Sequence, residues 1–334
     1  MNTPRNWLKL SKYQVVPALT LLLLTCLPNP SQAQVRIEVR PFESTTLTGD
    51  AFLRGEPGNP VVLAGELRIP RPGTDKLPAV ILMHPTGGIS AAVDRWAQEL
   101  NSIGVAAFIP DSFSGRGIVT PSVDPSSGNS LESIVDAYRA LGMLAQHPRI
   151  DPNRIAVMGF SRGGMVALYT SNERFWKSYG PANVQFAAHI ALYASCNVVY
   201  HDDEKVTGKP IRLFGGTADD FGTIEPCRAY VGRLKKAGAD VTLTEFPGVY
   251  HYYDWFTLKE PLKLPQARTR HNCSLAEGEQ GQLLDTKTGK SYDPNVSCNE
   301  KGGTLAYNEE AAVATTAAVK EFLTARFGLT RRFE

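Results

Sequence analysis

A mostly parallel β-sheet with helices on both faces is the α/β fold class this chain predicts, and three observations predict it. Short apolar runs, Ala79–Met83, Val105–Ile109 and Ile155–Met158, recur between segments of helical periodicity, as strands buried on both faces require. Strand and helix patterns alternate along the chain, which is the order of an α/β layer sandwich. Residues able to carry chemistry gather just past the ends of the apolar runs, where such sheets keep their sites.

The first 33 residues are set apart from the fold. Arg5, Lys9 and Lys12 make a basic start, Val15–Leu27 is apolar but too short to span a bilayer, and Ser31-Gln32-Ala33 offers a small-residue cleavage site. The reading is a signal peptide over 1–33 and export to a periplasm or the exterior; Cys26 raises a lipoprotein anchor as the alternative. The remainder, 34–334, is about 300 residues, enough for one large core. No stretch after Ala33 is long and apolar enough to cross a membrane.

Val35–Phe42 alternates apolar and polar residues as a half-solvated edge strand does, and Leu63–Ile69 is its expected partner across the turn-rich Gly55–Pro60. Ala79–Met83 is continuously apolar, a central strand. Ala91–Ile103 has helical spacing, Val105–Ile109 is the next strand, and Asp111–Gly128 is a Ser-, Gly- and Pro-rich loop. A helix begins at Leu131, with Ser130 as its expected N-cap and Ile134, Val135, Tyr138 and Leu141 on one face. Asp151–Arg154 is read as a turn into the strand Ile155–Met158, and Met165–Tyr169 as a packed helix. Phe186–Tyr193, Ile211–Phe214 and Val241–Phe246 supply three more strands, with a helix over Arg228–Ala237. Asn308 caps a final helix with Glu309 and Glu310 in its first turn, Val319, Phe322 and Leu323 on its buried side, and Gly328 as its stop.

Between the strand Ile155–Met158 and its following helix stands Gly159-Phe160-Ser161-Arg162-Gly163. Strand, G-x-S-x-G, helix is a nucleophile elbow, a sharp turn that lifts a serine hydroxyl clear of the sheet, with small residues where strand and helix pass closely. A serine hydroxyl needs a base and an orienting acid. Asp219 and Asp220 follow the strand Ile211–Phe214, and His251 follows Val241–Phe246. Order and position make Ser161 the nucleophile, His251 the base and Asp219 the acid, with Asp220 as competitor for the last role. Backbone N–H groups of Arg162 and of Thr86, or its neighbour Gly87, are the donors for a developing oxyanion. His84 is read as bracing the loop around Thr86, and His201-Asp202-Asp203-Glu204 as a solvated charge run instead of a metal site. Phe113, Tyr252, Tyr253 and Trp255 lie near the site, as pocket walls or as packing. Arg116 is read either as a partner for a substrate carboxylate, since a guanidinium can fork two bonds to one, or as a brace of its glycine-rich loop.

Removing the leader removes three bases and no acid, taking the formal charge from +2 to −1. That balance offers no electrostatic case for nucleic acid or an anionic membrane as partner. Four cysteines remain, an even number that favours disulfides in an exported chain. The preferred pairing is Cys196–Cys227, tying a strand-end loop to a helix, and Cys273–Cys298, closing a polar insertion at about 257–307.

HPTGG at His84–Gly88, FIPDSFSGRG at Phe108–Gly117, DPNRIAVMGFSRGG at Asp151–Gly164, GGTADD at Gly215–Asp220 and FPGVYHYYD at Phe246–Asp254 together resemble the dienelactone hydrolase family of α/β-hydrolases. The resemblance implies a Ser/Cys–His–Asp triad, hydrolysis of small-molecule esters or lactones, and no cofactor or metal. It departs at two positions: the founding enzymes carry a cysteine at the elbow and a glutamate in the oxyanion loop, where this chain has Ser161 and Pro85. The expectation is therefore serine esterase chemistry through an acyl-serine. A peptidase or polyester hydrolase on the same fold is the alternative, and a non-catalytic binding protein is the alternative of another class. Subunit number is not encoded in these motifs.

Overall fold

A computed structural model describes residue 1 and residues 35–119, 130–293, 298 and 300–329. All but the first residue of the leader read over 1–33, and the 120–129 part of the predicted loop, lie outside the described residues.

Among the described residues nine strands precede His251: β1 Arg36–Thr46, β2 Asn59–Ile69, β3 Leu77–Met83, β4 Ala106–Asp111, β5 Ile150–Phe160, β6 His189–Leu192, the two-residue β7 Val198–Val199, β8 Ile211–Gly216 and β9 Val241–Phe246. Eight of them form one sheet in the order β1-β2-β4-β3-β5-β6-β8-β9. β1, β2 and β4 are joined antiparallel, and every pair from β4 through β3 to β9 is parallel. The helices are α1 Gly49–Leu53, α2 Ala91–Ser102, α3 Glu132–Ala145, α4 Arg162–Tyr169, α5 Glu173–Tyr179, α6 Glu225–Lys236 and α7 Glu309–Phe327.

All seven residues of β3 are buried, and their alternation divides the core. Leu77, Ala79, Ile81 and Met83 join Ile134, Val135, Leu141, Val166 and Leu234 on the face covered by α3, α4 and α6. Val80 and Leu82 join Trp96, Leu100, Val319 and Leu323 on the face covered by α2 and α7. A period of two along the strand thus feeds two helical layers. In α7 every fourth residue from Ala311 to Phe327 (Ala311, Thr315, Val319, Leu323, Phe327) is buried, the spacing of one helical face. Asn308 caps it by accepting from the Ala311 N–H, and Gly328 ends it in the left-handed region at φ 62°.

Three local expectations are corrected. Ser130 is not the N-cap of α3; Leu131 occupies that position without a side-chain cap bond. Asp151–Arg154 is not a turn outside the strand but part of β5, where the register jumps from Leu77↔Ile150 to Ala79↔Ile155, so the extra residues bulge from a continuing strand. The run His201–Glu204 is not wholly solvated. Asp203 is 1 % exposed and accepts from Arg233 Nη2 at 2.5 Å.

After His251 the chain makes six short strands: β10 Leu262–Lys263, β11 Arg268–Thr269, β12 Leu275–Glu277, β13 Leu283–Asp285, β14 Glu300–Lys301 and β15 Thr304–Leu305. β10 pairs with β15, β11 with β14, and β12 lies between β13 and β7. Cys273–Cys298 bridges within this segment and Cys196–Cys227 joins the loop after β6 to α6. No helix among the described residues is long and apolar enough to cross a membrane.

Candidate active site

Ser161 sits between β5 and α4 at φ 53°, ψ −113°, a region an L-residue occupies only when its surroundings hold it there. The glycines around it are spacers. A Cβ on Gly159 would lie 2.0 Å from Gly163 O, one on Gly163 1.9 Å from Met83 O, and one on Gly164 2.7 Å from Leu192 O. Strand, elbow helix and the neighbouring ends of β3 and β6 meet here backbone to backbone.

His251 and Asp219 reach the serine from the ends of β9 and β8. His251 Nε2 is 2.9 Å from Ser161 Oγ, and its Nδ1 is 2.6 Å from Asp219 Oδ2. The other carboxylate oxygen, Oδ1, accepts from the N–H groups of Phe221 at 2.9 Å and Gly222 at 3.2 Å. With an ionised Asp219 accepting on Oδ2, Nδ1 carries the proton and Nε2 faces the hydroxyl as acceptor. Asp220, the competing acid, points away and accepts from Thr304 N–H at 2.8 Å. The two loops are laced together: Ala218 N–H donates to Val249 O and Gly248 N–H to Thr217 Oγ1.

Thr86 is exposed and no described residue accepts from its N–H, whereas Gly88 N–H donates back to Pro85 O at 3.0 Å. His84 braces this loop. Its Nε2 accepts from Ser112 N–H at 3.2 Å, so Nδ1 is the donor to Pro85 O at 2.8 Å. Burial lowers the His84 pKa and keeps the ring neutral. Arg162 is the first residue of α4. Its side chain turns inward, with the guanidinium 5.3 Å over the Phe113 ring, and burial pulls it down to about 10 against the pull of Glu132.

Of the aromatic residues expected near the site, Tyr252 lies 5.5 Å from the His251 ring and is stacked on Tyr193 at 5.3 Å, and Trp255 lies one ring further out. Phe113 packs edge-on against His84 at 4.5 Å, behind the Thr86 loop. Tyr253 is fully buried in the core. Arg116 is not a substrate-facing residue. Its guanidinium forks onto both oxygens of Asp136 and also donates to Thr45 O, Thr46 Oγ1 and Ser112 O, which occupies its N–H groups. It braces β1, α3 and the loop after β4.

Two features were assigned no role from the sequence. Phe221 stacks on the His251 ring, centroids 4.8 Å apart and planes 25° from parallel. Asp254, 6 % exposed, accepts from Trp96 Nε1 at 2.7 Å and Tyr193 OH at 2.9 Å, and burial raises its pKa despite both bonds. Tyr193 directly follows β6, so the strand-end rule that located Asp219 also points to it; Trp96 and Asp254 meet only in three dimensions.

The eight-stranded, mostly parallel sheet with its elbow between β5 and α4 defines an α/β-hydrolase. The chain belongs to the dienelactone hydrolase family, whose model matches residues 65–261. A thiohydrolase of Aspergillus aculeatus, aneE, is 32 % identical over 95 residues, a match covering 27 % of this chain and 28 % of that protein. Among solved structures, a dienelactone hydrolase-like promiscuous phosphotriesterase from metagenomic libraries aligns at TM-score 0.55 and 14 % identity, over 86 % of this chain and 98 % of its own. The esterase Est2 of Thermogutta terrifontis aligns at TM-score 0.53 and 16 % identity, over 91 % and 96 %. At such identities the structural likeness speaks for the fold.

Proposed function

We propose that this protein is a serine hydrolase that cleaves a carboxylic ester or lactone through an acyl-serine intermediate. One observation carries the reading: a serine on a strained elbow, an imidazole and a buried carboxylate form an unbroken hydrogen-bonded chain, 2.9 Å and 2.6 Å between partners. As Ser161 Oγ attacks the carbonyl carbon, His251 Nε2 takes its proton and Asp219 stabilises the cation that forms. The carbonyl oxygen becomes an oxyanion facing the N–H groups of Thr86 and Arg162. His251 then returns the proton to the leaving alcohol as the C–O bond breaks. Water, deprotonated by the same imidazole, releases the acid and restores the hydroxyl.

A fluorophosphonate probe tests this. Ser161 should be labelled, and Ser161→Ala should abolish both labelling and turnover of short p-nitrophenyl esters; an active alanine variant refutes the assignment. The thiohydrolase relative favours a second reading, in which the scissile bond is a thioester. Matched oxygen esters and thioesters of one acid separate the two. Export belongs to the same proposal: two disulfides in a chain of this size support an oxidising compartment. So does the leader-like start of the sequence.

A further inference from the structure

We infer that the segment following His251 positions the imidazole through Phe221, with Gly303 as the contact that sets the Phe221 ring; the inference rests on the serine-hydrolase reading. The two hydrogen bonds of His251 hold its nitrogens, Nδ1 toward Asp219 and Nε2 toward Ser161. They leave the faces of the ring unsupported, and a shift of the imidazole normal to its plane, by turning about its χ1 and χ2 bonds, carries the Nε2 lone pair off the line to the hydroxyl. A face contact resists that motion. Phe221 supplies it, stacked at 4.8 Å, while Tyr193 meets the same imidazole edge-on at 4.9 Å.

Phe221 is itself held from the segment beyond the site. Arg270 N–H donates to Phe221 O at 3.0 Å, Thr304 N–H to Asp220 Oδ1 at 2.8 Å, and Ala306 N–H to His251 O at 3.1 Å. Gly303 is buried against the Phe221 ring, and a Cβ there would come within 2.4 Å of a ring carbon. The ring is the movable partner, so a methyl at 303 shifts it out of its present stacking on His251. The family match ends at residue 261, upstream of Arg270, Gly303, Thr304 and Ala306. The positioning contact therefore comes from a part of the chain outside the family pattern.

Three variants test it: Phe221→Leu, which keeps apolar bulk without a flat face; Phe221→Tyr, which keeps the face; and Gly303→Ala. Each is assayed on p-nitrophenyl esters of several acyl lengths, and the low-field proton of the His251–Asp219 hydrogen bond is followed by NMR. Phe221→Leu and Gly303→Ala should lower kcat by about 10- to 100-fold, equally for all acyl lengths and with KM within about twofold, and should broaden the resonance. Phe221→Tyr should restore the sharp resonance and a kcat within about threefold of the parent protein. An unchanged kcat in Phe221→Leu overturns the proposal, as does a rise in KM that tracks acyl length at constant kcat, which makes Phe221 a substrate wall. A parent protein that fails to label at Ser161, yet shows the same pattern of resonances, sinks the hydrolase reading and leaves the positioning contact standing.

Discussion

Replacing Asp219 by asparagine changes one atom and should invert the tautomer of His251. In the parent chain Oδ1 accepts from two backbone N–H groups and Oδ2 faces Nδ1. Asparagine has one acceptor oxygen and one NH2 group, and the two N–H donors claim the oxygen, since an NH2 facing them would leave three donors without an acceptor. The NH2 is then turned to Nδ1, which must accept. The ring proton moves to Nε2, and the atom facing Ser161 can no longer take its proton. Loss of the acid by this route in a related constellation costs about 10⁴ in kcat, or about 5.5 kcal/mol at 1.36 kcal/mol per tenfold. The assay is steady-state hydrolysis of a short p-nitrophenyl ester, with thermal unfolding as control. The melting temperature should move little, because both backbone hydrogen bonds survive. An Asp219→Asn variant retaining a tenth of the activity refutes the argument, and so does a larger loss in Asp220→Asn.

Three further outcomes are expected from other parts of the molecule. Thr86→Pro deletes a backbone N–H and should lower kcat by about 10²–10³, whereas Thr86→Ala keeps the donor and should lose far less; equal losses would remove Thr86 from the oxyanion site. Replacing Cys273 and Cys298 together by serine opens a link across a sequence separation of 25 and should cost about 3 kcal/mol in urea unfolding. His189 is 1 % exposed and burial lowers its pKa to about 3. The unfolded chain therefore binds the extra proton first, so stability present above about pH 6.5 is lost as pH falls towards 3. His189→Gln should flatten the stability profile in that window, and an unchanged slope would show that other groups set it.

What could be read from the chain was governed by period and by burial. Strands buried on both faces leave continuous apolar runs, so Ala79–Met83 was legible; Val241–Phe246, a half-exposed edge strand, was read to the residue from its alternation. The meeting of Ser161, Asp219 and His251 was legible because neighbouring strands of a parallel sheet end side by side. Asp151–Arg154 misled because a bulge and a turn use the same residues, and only the register tells them apart. The choice between brace and ligand for Arg116 needed Asp136, twenty residues away in sequence. Strands of two or three residues, such as β10 to β15, are too short to show a period. The contact of Gly303 with Phe221 was illegible for that reason.

The parallel pairing of β12 with β7 bears on how the molecule must be made. Leu275 lies beside Val198, which sets Cys273 and Cys196 each two residues upstream of paired positions on adjoining strands. The two native bridges thus start from neighbouring thiols, and exchanging their partners is an error available within one small patch. Where disulfides form, a chain caught with its partners swapped is returned to these pairs by thiol–disulfide exchange, and a reducing compartment leaves the four thiols unbridged.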